Sequence, residues 1–251
     1  VLAAKHFKIP AIIHESDMTP GLANKICIPS AAKVCCNFPE TLPYLPEEKA
    51  VLTGSPIRRE LLEGDRLTGL QYAGLSAEKP VILVIGGSLG AVAVNNAVRS
   101  ILPKLLETYQ VIHICGKGHL DDSLISQKGY VQFEYVDAPL RHLFAAADLI
   151  LSRAGANSIC EILALRKPNI LVPLSAAASR GDQILNARSF KKQGFSAVLE
   201  EEQMTDETLY QTIHDTYEHR QEFISAMNQS TLSDAVDIVM NLIASYAETS
   251  A

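Results

Sequence analysis

What the chain lacks narrows it first. Positive charge is not in excess: 22 Lys and Arg stand against 28 Asp and Glu, a formal net charge of -6. That excludes a whole-surface attraction to nucleic acid or anionic lipid and leaves only a local basic patch for such a partner. No stretch approaches the roughly 18 consecutive apolar residues of a membrane span, and no leader of charged, apolar and then small residues opens the chain. The five cysteines, Cys27, Cys35, Cys36, Cys115 and Cys160, show no C-x-x-C spacing. They lie mostly in apolar runs, the pattern of buried thiols in a reducing compartment, so neither a disulfide framework nor a metal site is expected. Internal repeats and low-complexity tracts are missing too. A cytoplasmic protein is the expectation.

What is present is an alternation of short apolar runs with helical periods over 251 residues, enough for one large domain or one domain with a piece of another. The stretch 148–187 organises the rest. Leu149-Ile150-Leu151 is a buried-strand signal, 152–157 a turn, and 158–165 carries helical spacing. The pattern then repeats: Asn169-Ile170-Leu171-Val172, a stop at Pro173, a polar loop, and a helix over 184–192. Before it, strands are predicted at 81–85, 111–115 and 131–136, and helices at 91–106 and 140–147; after it come a strand at 197–199 and helices over 206–227 and 234–246. Thr205 is a candidate N-cap, with Asp206 and Glu207 in the first turn. Strands that are almost wholly apolar, alternating with helices, predict an α/β fold with a parallel sheet covered on both faces.

The N-terminal quarter reads differently. Residues 1–5 resemble the middle of an amphipathic helix ended by Ile9-Pro10, so the sequence is expected to start inside a domain. Strands are predicted at 11–13 and 33–37, a helix ending at Ile26, a loop over 39–48 and a strand end at Val51-Leu52 before the turn Gly54-Ser55-Pro56. Between 63 and 79 no period is strong, which predicts a linker or peripheral helix and a domain boundary near Pro56.

Three constellations could carry chemistry. Gly86-Gly87-Ser88-Leu89-Gly90 joins a strand to a helix. This is neither G-x-G-x-x-G nor a P-loop, and it reads equally as a phosphate-binding turn, with free helix N–H groups and the Ser88 hydroxyl, or as a tight structural turn. Arg153-Ala154-Gly155-Ala156-Asn157-Ser158 is a second such turn; Ser158 and Glu161 have the spacing of a capping pair, the blander and favoured reading, or of a diphosphate and ribose site. Asp182-Gln183 offers a carboxylate beside an amide, suited to sugar hydroxyls and equally to an N-cap.

In this order the three elements resemble the donor half of two-domain, sugar-nucleotide-dependent glycosyltransferases. Together with His14-Glu15-Ser16-Asp17, Pro20-Gly21-Leu22-Ala23-Asn24-Lys25, Gly54-Ser55-Pro56-Ile57-Arg58, Ser152-Arg153-Ala154-Gly155-Ala156 and Arg180-Gly181-Asp182-Gln183 with Asn186-Ala187, they resemble the MurG family over at least residues 1–194. That family transfers N-acetylglucosamine from UDP-N-acetylglucosamine to lipid I, an undecaprenyl-linked acceptor, to give lipid II.

The resemblance implies a GT-B fold of two Rossmann-like domains, the first only partly present: residues 1–56 as the end of the acceptor domain and 57–251 as the donor domain, with a final helix crossing back. It implies donor contacts at Arg58, Ser88, Val136 for uracil, Ala156, Asn157 and Ser158 for sugar and phosphate, Glu161 for ribose, and Asp182 with Gln183 for the hexose. Asp17, where the family often carries Asn, and Gly86 and Gly87 are further candidates. Lys117 and His119 read as turn residues, and His113 and His142 as packing or surface histidines.

The implied partners are UDP-N-acetylglucosamine and lipid I, with no nucleic acid, no metal and no cofactor. The implied place is the cytoplasmic face of the bacterial membrane, held peripherally. The catalytic base is expected in a glycine-rich loop before Val1, within on the order of 100 further residues, so these residues alone are expected to bind donor weakly and transfer nothing. Two rival readings are a UDP-N-acetylglucosamine 2-epimerase and a non-catalytic sugar-nucleotide-binding module.

Overall fold

The structure, a computed structural model, describes residues 1–87, 91–175, 181–230 and 235–248. By contact the chain divides into two units, Val1–Ile57 with the segment from Ser230 onward, and Arg58–Gln229.

In the first unit, α1 (Leu2–His6), β1 (Ile12–Glu15), α2 (Leu22–Cys27), β2 (Lys33–Cys36) and β3 (Ala50–Leu52) follow in order. The strands form a parallel sheet, β1-β2-β3, with Ile13 opposite Val34 and Cys35 opposite Val51. Val34, Cys35 and Cys36 are fully buried, which accounts for two of the five thiols as core residues. The predicted loop 39–48 contains a 3-10 segment, Pro39–Tyr44. Pro39 presets its first φ, and the buried Thr41 hydroxyl fastens it by donating to the Met18 carbonyl at 3.0 Å.

The second unit holds α3 (Arg66–Ala73), β4 (Val81–Ile85), α4 (Val92–Ser100), α5 (Leu102–Thr108), β5 (Gln110–Ile114), β6 (Tyr130–Phe133), α6 (Leu140–Ala146), β7 (Leu149–Ser152), α7 (Ala156–Leu165), β8 (Asn169–Leu171), α8 (Asp182–Lys192), β9 (Ala197–Val198), α9 (Asp206–Glu218) and α10 (Arg220–Asn228). The remaining helix, α11 (Ala235–Glu248), groups with the first unit; Asp234, where it was predicted to begin, lies outside the described residues. The six strands pair in parallel in the order β6-β5-β4-β7-β8-β9. Counted from β4 this is 3-2-1-4-5-6, the doubly wound order whose switch point lies between β4 and β7. Val81, Ile82, Leu83 and Val84 are all buried, as are Leu149, Ile150 and Leu151, because helices cover both faces.

Two helical expectations need correction, and a third resolves between its two readings. The helix predicted over 91–106 is two, broken at Ile101 (φ -94, ψ 1), because Pro103 lacks the N–H a continuous helix would use there. The helix predicted over 206–227 breaks at His219, whose backbone N–H and ring Nδ1 both meet the Asp215 carbonyl, at 3.0 and 2.9 Å. The segment without a period holds α3, capped by Asp65, whose Oδ1 accepts from the Thr68 N–H at 2.7 Å. Its packing on α6 is backbone against backbone: a Cβ on Gly69 would lie 2.1 Å from the His142 carbonyl oxygen. Such a helix needs no apolar stripe. The strand predicted over 131–136 ends at Phe133, which leaves Val136 in the loop beyond it. Among the described residues no helix is long and apolar enough to cross a membrane.

Candidate active site

At the C-terminal edge of the six-stranded sheet lies a cleft of about 610 Å³. Its walls come from residues at strand ends and beyond them: Ile85 at the end of β4 and Gly87 after it, Ile114 at the end of β5, Glu134 to Ala138 and Leu140 after β6, and Ser158 and Glu161 on α7. Arg58, Glu60 and Leu61, which precede α3, close it on one side. This is the place a doubly wound sheet offers a ligand.

Glu161 is the group in the cleft whose state needs explaining. Burial raises its carboxyl above the ordinary range, and the Arg58 guanidinium, 3.8 Å away, pulls it only partly back. With Arg58 62% exposed, that contact is too solvent-screened to hold a carboxylate for stability's sake. A partly buried carboxylate, shifted by desolvation and facing a cleft, marks a functional position.

The favoured reading of Ser158 and Glu161 as a capping pair is overturned. The N-cap of α7 is Gly155, without a side-chain cap, and Ser158 is already the third helical residue. The helix starts early because β7 extends through Ser152 and the turn is only three residues long. The first intrahelical bond runs from the Ile159 N–H to the Gly155 carbonyl at 3.1 Å, so the N–H groups of Ala156, Asn157 and Ser158 precede the ladder, as do those of any helix start. They sit at the positive end of the helix dipole, beside the Ser158 hydroxyl.

The glycines support this. Gly87 has φ +85, a left-handed backbone that excludes most side chains. Gly155 has an ordinary φ of -67, and a Cβ there would meet nothing within 4 Å. Neither backbone strain nor packing requires glycine at 155, whereas close approach of a ligand would.

The N-cap reading of Asp182 and Gln183 also fails. Gly181, left-handed at φ 85, is the N-cap, and these two residues open α8. Gln183 Oε1 accepts from the Leu174 N–H at 3.1 Å, and Asn186 Nδ2 donates to the Ala154 carbonyl at 3.1 Å, so α8 is fastened to the turn that leads into α7. Among the sequence-predicted residues, the cleft brings together Arg58, Gly87, Val136, Ser158 and Glu161. Gly86 adjoins it in the chain, and Ala156 and Asn157 begin the helix that lines it. Asp182 and Gln183 stand past the neighbouring strand and do not line it, Asp17 belongs to the first unit, and Ser88 lies outside the described residues.

Several polar groups went unassigned by sequence. Glu15 is buried and accepts from the Asp17 N–H (3.0 Å), the Gly21 N–H (2.9 Å) and Asn24 Nδ2 (2.8 Å), so it shapes the loop after β1. Arg153 is buried, pairs with Glu201 and donates to the carbonyls of Val172 and Pro173 at 3.2 and 3.3 Å, fixing the exit of β8. Tyr135 and Arg141 line the cleft; Tyr135 could have been flagged by its place just past a strand end, whereas Arg141 lies in the first turn of α6 and carries no such signal.

Known proteins share this scaffold. Residues 81–242 match the glycosyltransferase family 28 C-terminal domain. The chain is 64% identical over 243 residues to the UDP-N-acetylglucosamine--N-acetylmuramyl-(pentapeptide) pyrophosphoryl-undecaprenol N-acetylglucosamine transferase of Lachnoclostridium phytofermentans, covering 97% of this chain and 68% of that protein. It is 61% identical to the protein of the same name from Lachnospira eligens, over 97% of this chain and 69% of the other. Among solved structures, Acinetobacter baumannii MurG superposes with a TM-score of 0.71 at 27% identity, covering 95% of this chain and 67% of that one. The UDP-GlcNAc 2-epimerase of Neisseria meningitidis, bound to UDP-GlcNAc, gives 0.68 at 15% identity over 97% and 72%, a likeness of fold alone. The α/β fold is that of GT-B glycosyltransferases. With a family 28 domain over most of its second unit and relatives of one name above 60% identity along nearly its whole length, the chain belongs to the MurG family of N-acetylglucosamine transferases.

Proposed function

We propose that this chain supplies the donor side of N-acetylglucosamine transfer from UDP-N-acetylglucosamine to lipid I, the step that forms lipid II for peptidoglycan. The observation that carries the site assignment is Glu161, partly buried in a cleft beside a helix start without a side-chain cap. Glu161 takes the two ribose hydroxyls, for which a carboxylate has the acceptor pair. Val136 meets the uracil through its backbone, Arg58 reaches the donor from the cleft rim, and Ala156, Asn157 and Ser158 hold sugar and phosphate. Ser88, with Gly86 and Gly87, serves the diphosphate, and Gln183 with Asp182 serves the hexose.

In the reaction a hydroxyl of the acceptor attacks the anomeric carbon from the face opposite UDP. The new C–O bond forms as the bond to the diphosphate oxygen breaks, UDP keeps the electron pair, and the acceptor proton passes to a base. The configuration inverts. Charge develops on the departing diphosphate, and the N-termini of α4 and α7 stabilise it there. Residues 1–56 belong to the acceptor side and 57–229 to the donor side, with the final helix grouped with the former, and the enzyme works peripherally at the cytoplasmic face of the membrane, where a lipid-linked acceptor is held.

The test is a donor titration of residues 1–251 beside an assay of radiolabelled N-acetylglucosamine transfer to a lipid I analogue by the enzyme. Saturable UDP-N-acetylglucosamine binding, with label passing only to the lipid and an inverted linkage, is the expected result. Label recovered as an epimerised UDP-sugar without acceptor would replace this reading with the 2-epimerase.

A further inference from the structure

A buried polar chain of Asn95, His113 and Tyr130 runs beside the cleft and takes no part in the chemistry just described. His113 is fully buried, Asn95 and Tyr130 nearly so. Asn95 Nδ2 donates to the Cys115 carbonyl at 2.9 Å, which fixes the amide and turns its Oδ1 toward His113 Nε2, also at 2.9 Å. The imidazole therefore carries its proton on Nε2, and Nδ1 accepts from the Tyr130 hydroxyl at 2.8 Å. Burial, with Arg99 adding to it, pushes His113 down to about 3, so the ring stays neutral and each bond keeps its direction.

Apolar side chains of the same shape would serve stability about as well as this trio. What a satisfied buried network adds is a unique position. Its ends show what is positioned. The Asn95 N–H donates to the Ala91 carbonyl at 2.8 Å, so its side chain sits on the first turn of α4, the helix that follows Gly86 and Gly87 in the chain. The other end is the exit of β5, where Ile114 lines the cleft. Beyond it, Glu134 Oε1 accepts from the Gly118 N–H at 2.6 Å and Arg99 Nη2 donates to the His119 carbonyl at 2.6 Å, so the strand exit is itself pinned.

We propose that Asn95, backed by His113 and Tyr130, is a positioning residue for the donor diphosphate: it fixes the N-terminus of α4 against the exit of β5, so that the helix N–H groups meet the phosphates. This rests on the donor-site reading above. The nucleobase and ribose contacts, at Val136 and Glu161, do not depend on it.

The experiment compares UDP with uridine, which lacks the phosphates, by competition titration on the wild-type chain, Asn95→Leu and Tyr130→Phe, with thermal melts of each. Asn95→Leu is expected to weaken UDP about tenfold and to leave uridine affinity unchanged. Tyr130→Phe, the milder variant that answers the question should Asn95→Leu not fold, is expected to weaken UDP roughly threefold with uridine again unchanged. Equal losses for the two ligands, or a lowered melting temperature with neither affinity changed, would make the network structural and overturn the proposal. A wild-type chain that binds UDP no better than uridine would overturn the donor-site reading itself, and this inference with it.

Discussion

Two kinds of helix start coexist in the larger unit. Away from the cleft, α3 and α9 are closed by side chains: Asp65 takes the Thr68 N–H, and Thr205 and Thr208 cap each other's backbone at 3.2 and 2.8 Å. At the C-terminal edge of the sheet, α4, α6, α7 and α8 follow strands β4, β6, β7 and β8, and their N-caps Ala91, Pro139, Gly155 and Gly181 provide no side-chain bond. An absent cap costs about 1 kcal/mol where alanine stands at the N-cap and only about a few tenths where glycine does. The same chain that builds a reciprocal cap on α9 leaves four in a row without one along a single edge. α5 and α10 also start without a side-chain cap, behind Ile101 and His219, so a missing cap alone marks no ligand site; α4, α6, α7 and α8 differ in starting at the carboxyl ends of parallel strands, where a doubly wound sheet takes its ligand.

The largest effect expected on this contrast comes from Glu161→Gln. If the open side of α7 serves a nucleotide, the substitution weakens UDP binding by roughly 1–3 kcal/mol, the scale of hydrogen bonds to a charged group, read by calorimetry. Stability should move the other way. Burial raises the folded-state carboxyl above its unfolded value, so the native state holds the proton more tightly. The cost of ionising Glu161 is absent below the unfolded pKa, sets in as pH rises toward the folded one, and is fully present above it. Glu161→Gln should therefore raise the melting temperature at neutral pH and leave it unchanged in acid. A lower melting temperature with intact UDP affinity would return Glu161 to a stabilising role and erase the contrast.

How far this edge could be read in advance depends on what sets each feature. The strand Val81–Ile85 was legible to the residue, because a strand buried on both faces is a continuous apolar run. Arg58, Val136, Ser158 and Glu161 were legible as neighbours of one cleft, through a family resemblance and through their places near element ends. The break at Ile101 was hidden because the apolar period continues through Pro103, and α3 was legible only as one of two readings because glycine, not an apolar stripe, packs it. Ser-x-x-Glu at 158–161 is a true capping signature in the wrong register; only the length of β7 decides where the helix begins. His113 was legible as a packing histidine, but not its partner Asn95, 18 residues away: a polar residue in an apolar run announces a partner without naming it.

The capped side of the comparison gives the next effect. Thr205→Ala removes the hydroxyl that accepts from the Thr208 N–H, leaving only the Thr205 backbone half of the cap on α9, and should cost about 1 kcal/mol in denaturant unfolding while UDP affinity stays at the wild-type value. A change in UDP affinity would mean that capped helix starts, too, are coupled to the cleft.

The smallest effect is the most direct exchange of one kind of helix start for the other. Gly155 has a backbone that any residue can adopt and open space where its Cβ would stand, so Gly155→Ser should install the cap that α7 lacks. Serine exceeds glycine at an N-cap by a few tenths of a kcal/mol, and the melting temperature should rise by about a degree. The new hydroxyl would accept from the N–H of Asn157 or Ser158, the groups assigned to phosphate and sugar, and would stand where the ligand approaches. UDP affinity should then fall roughly threefold. A protein slightly more stable and measurably worse at binding is the result that an edge kept open for ligand requires. If Gly155→Ser gained the stability and kept the affinity, the missing cap on α7 would be an unfilled position, and the argument from helix starts would rest on α4, α6 and α8 alone.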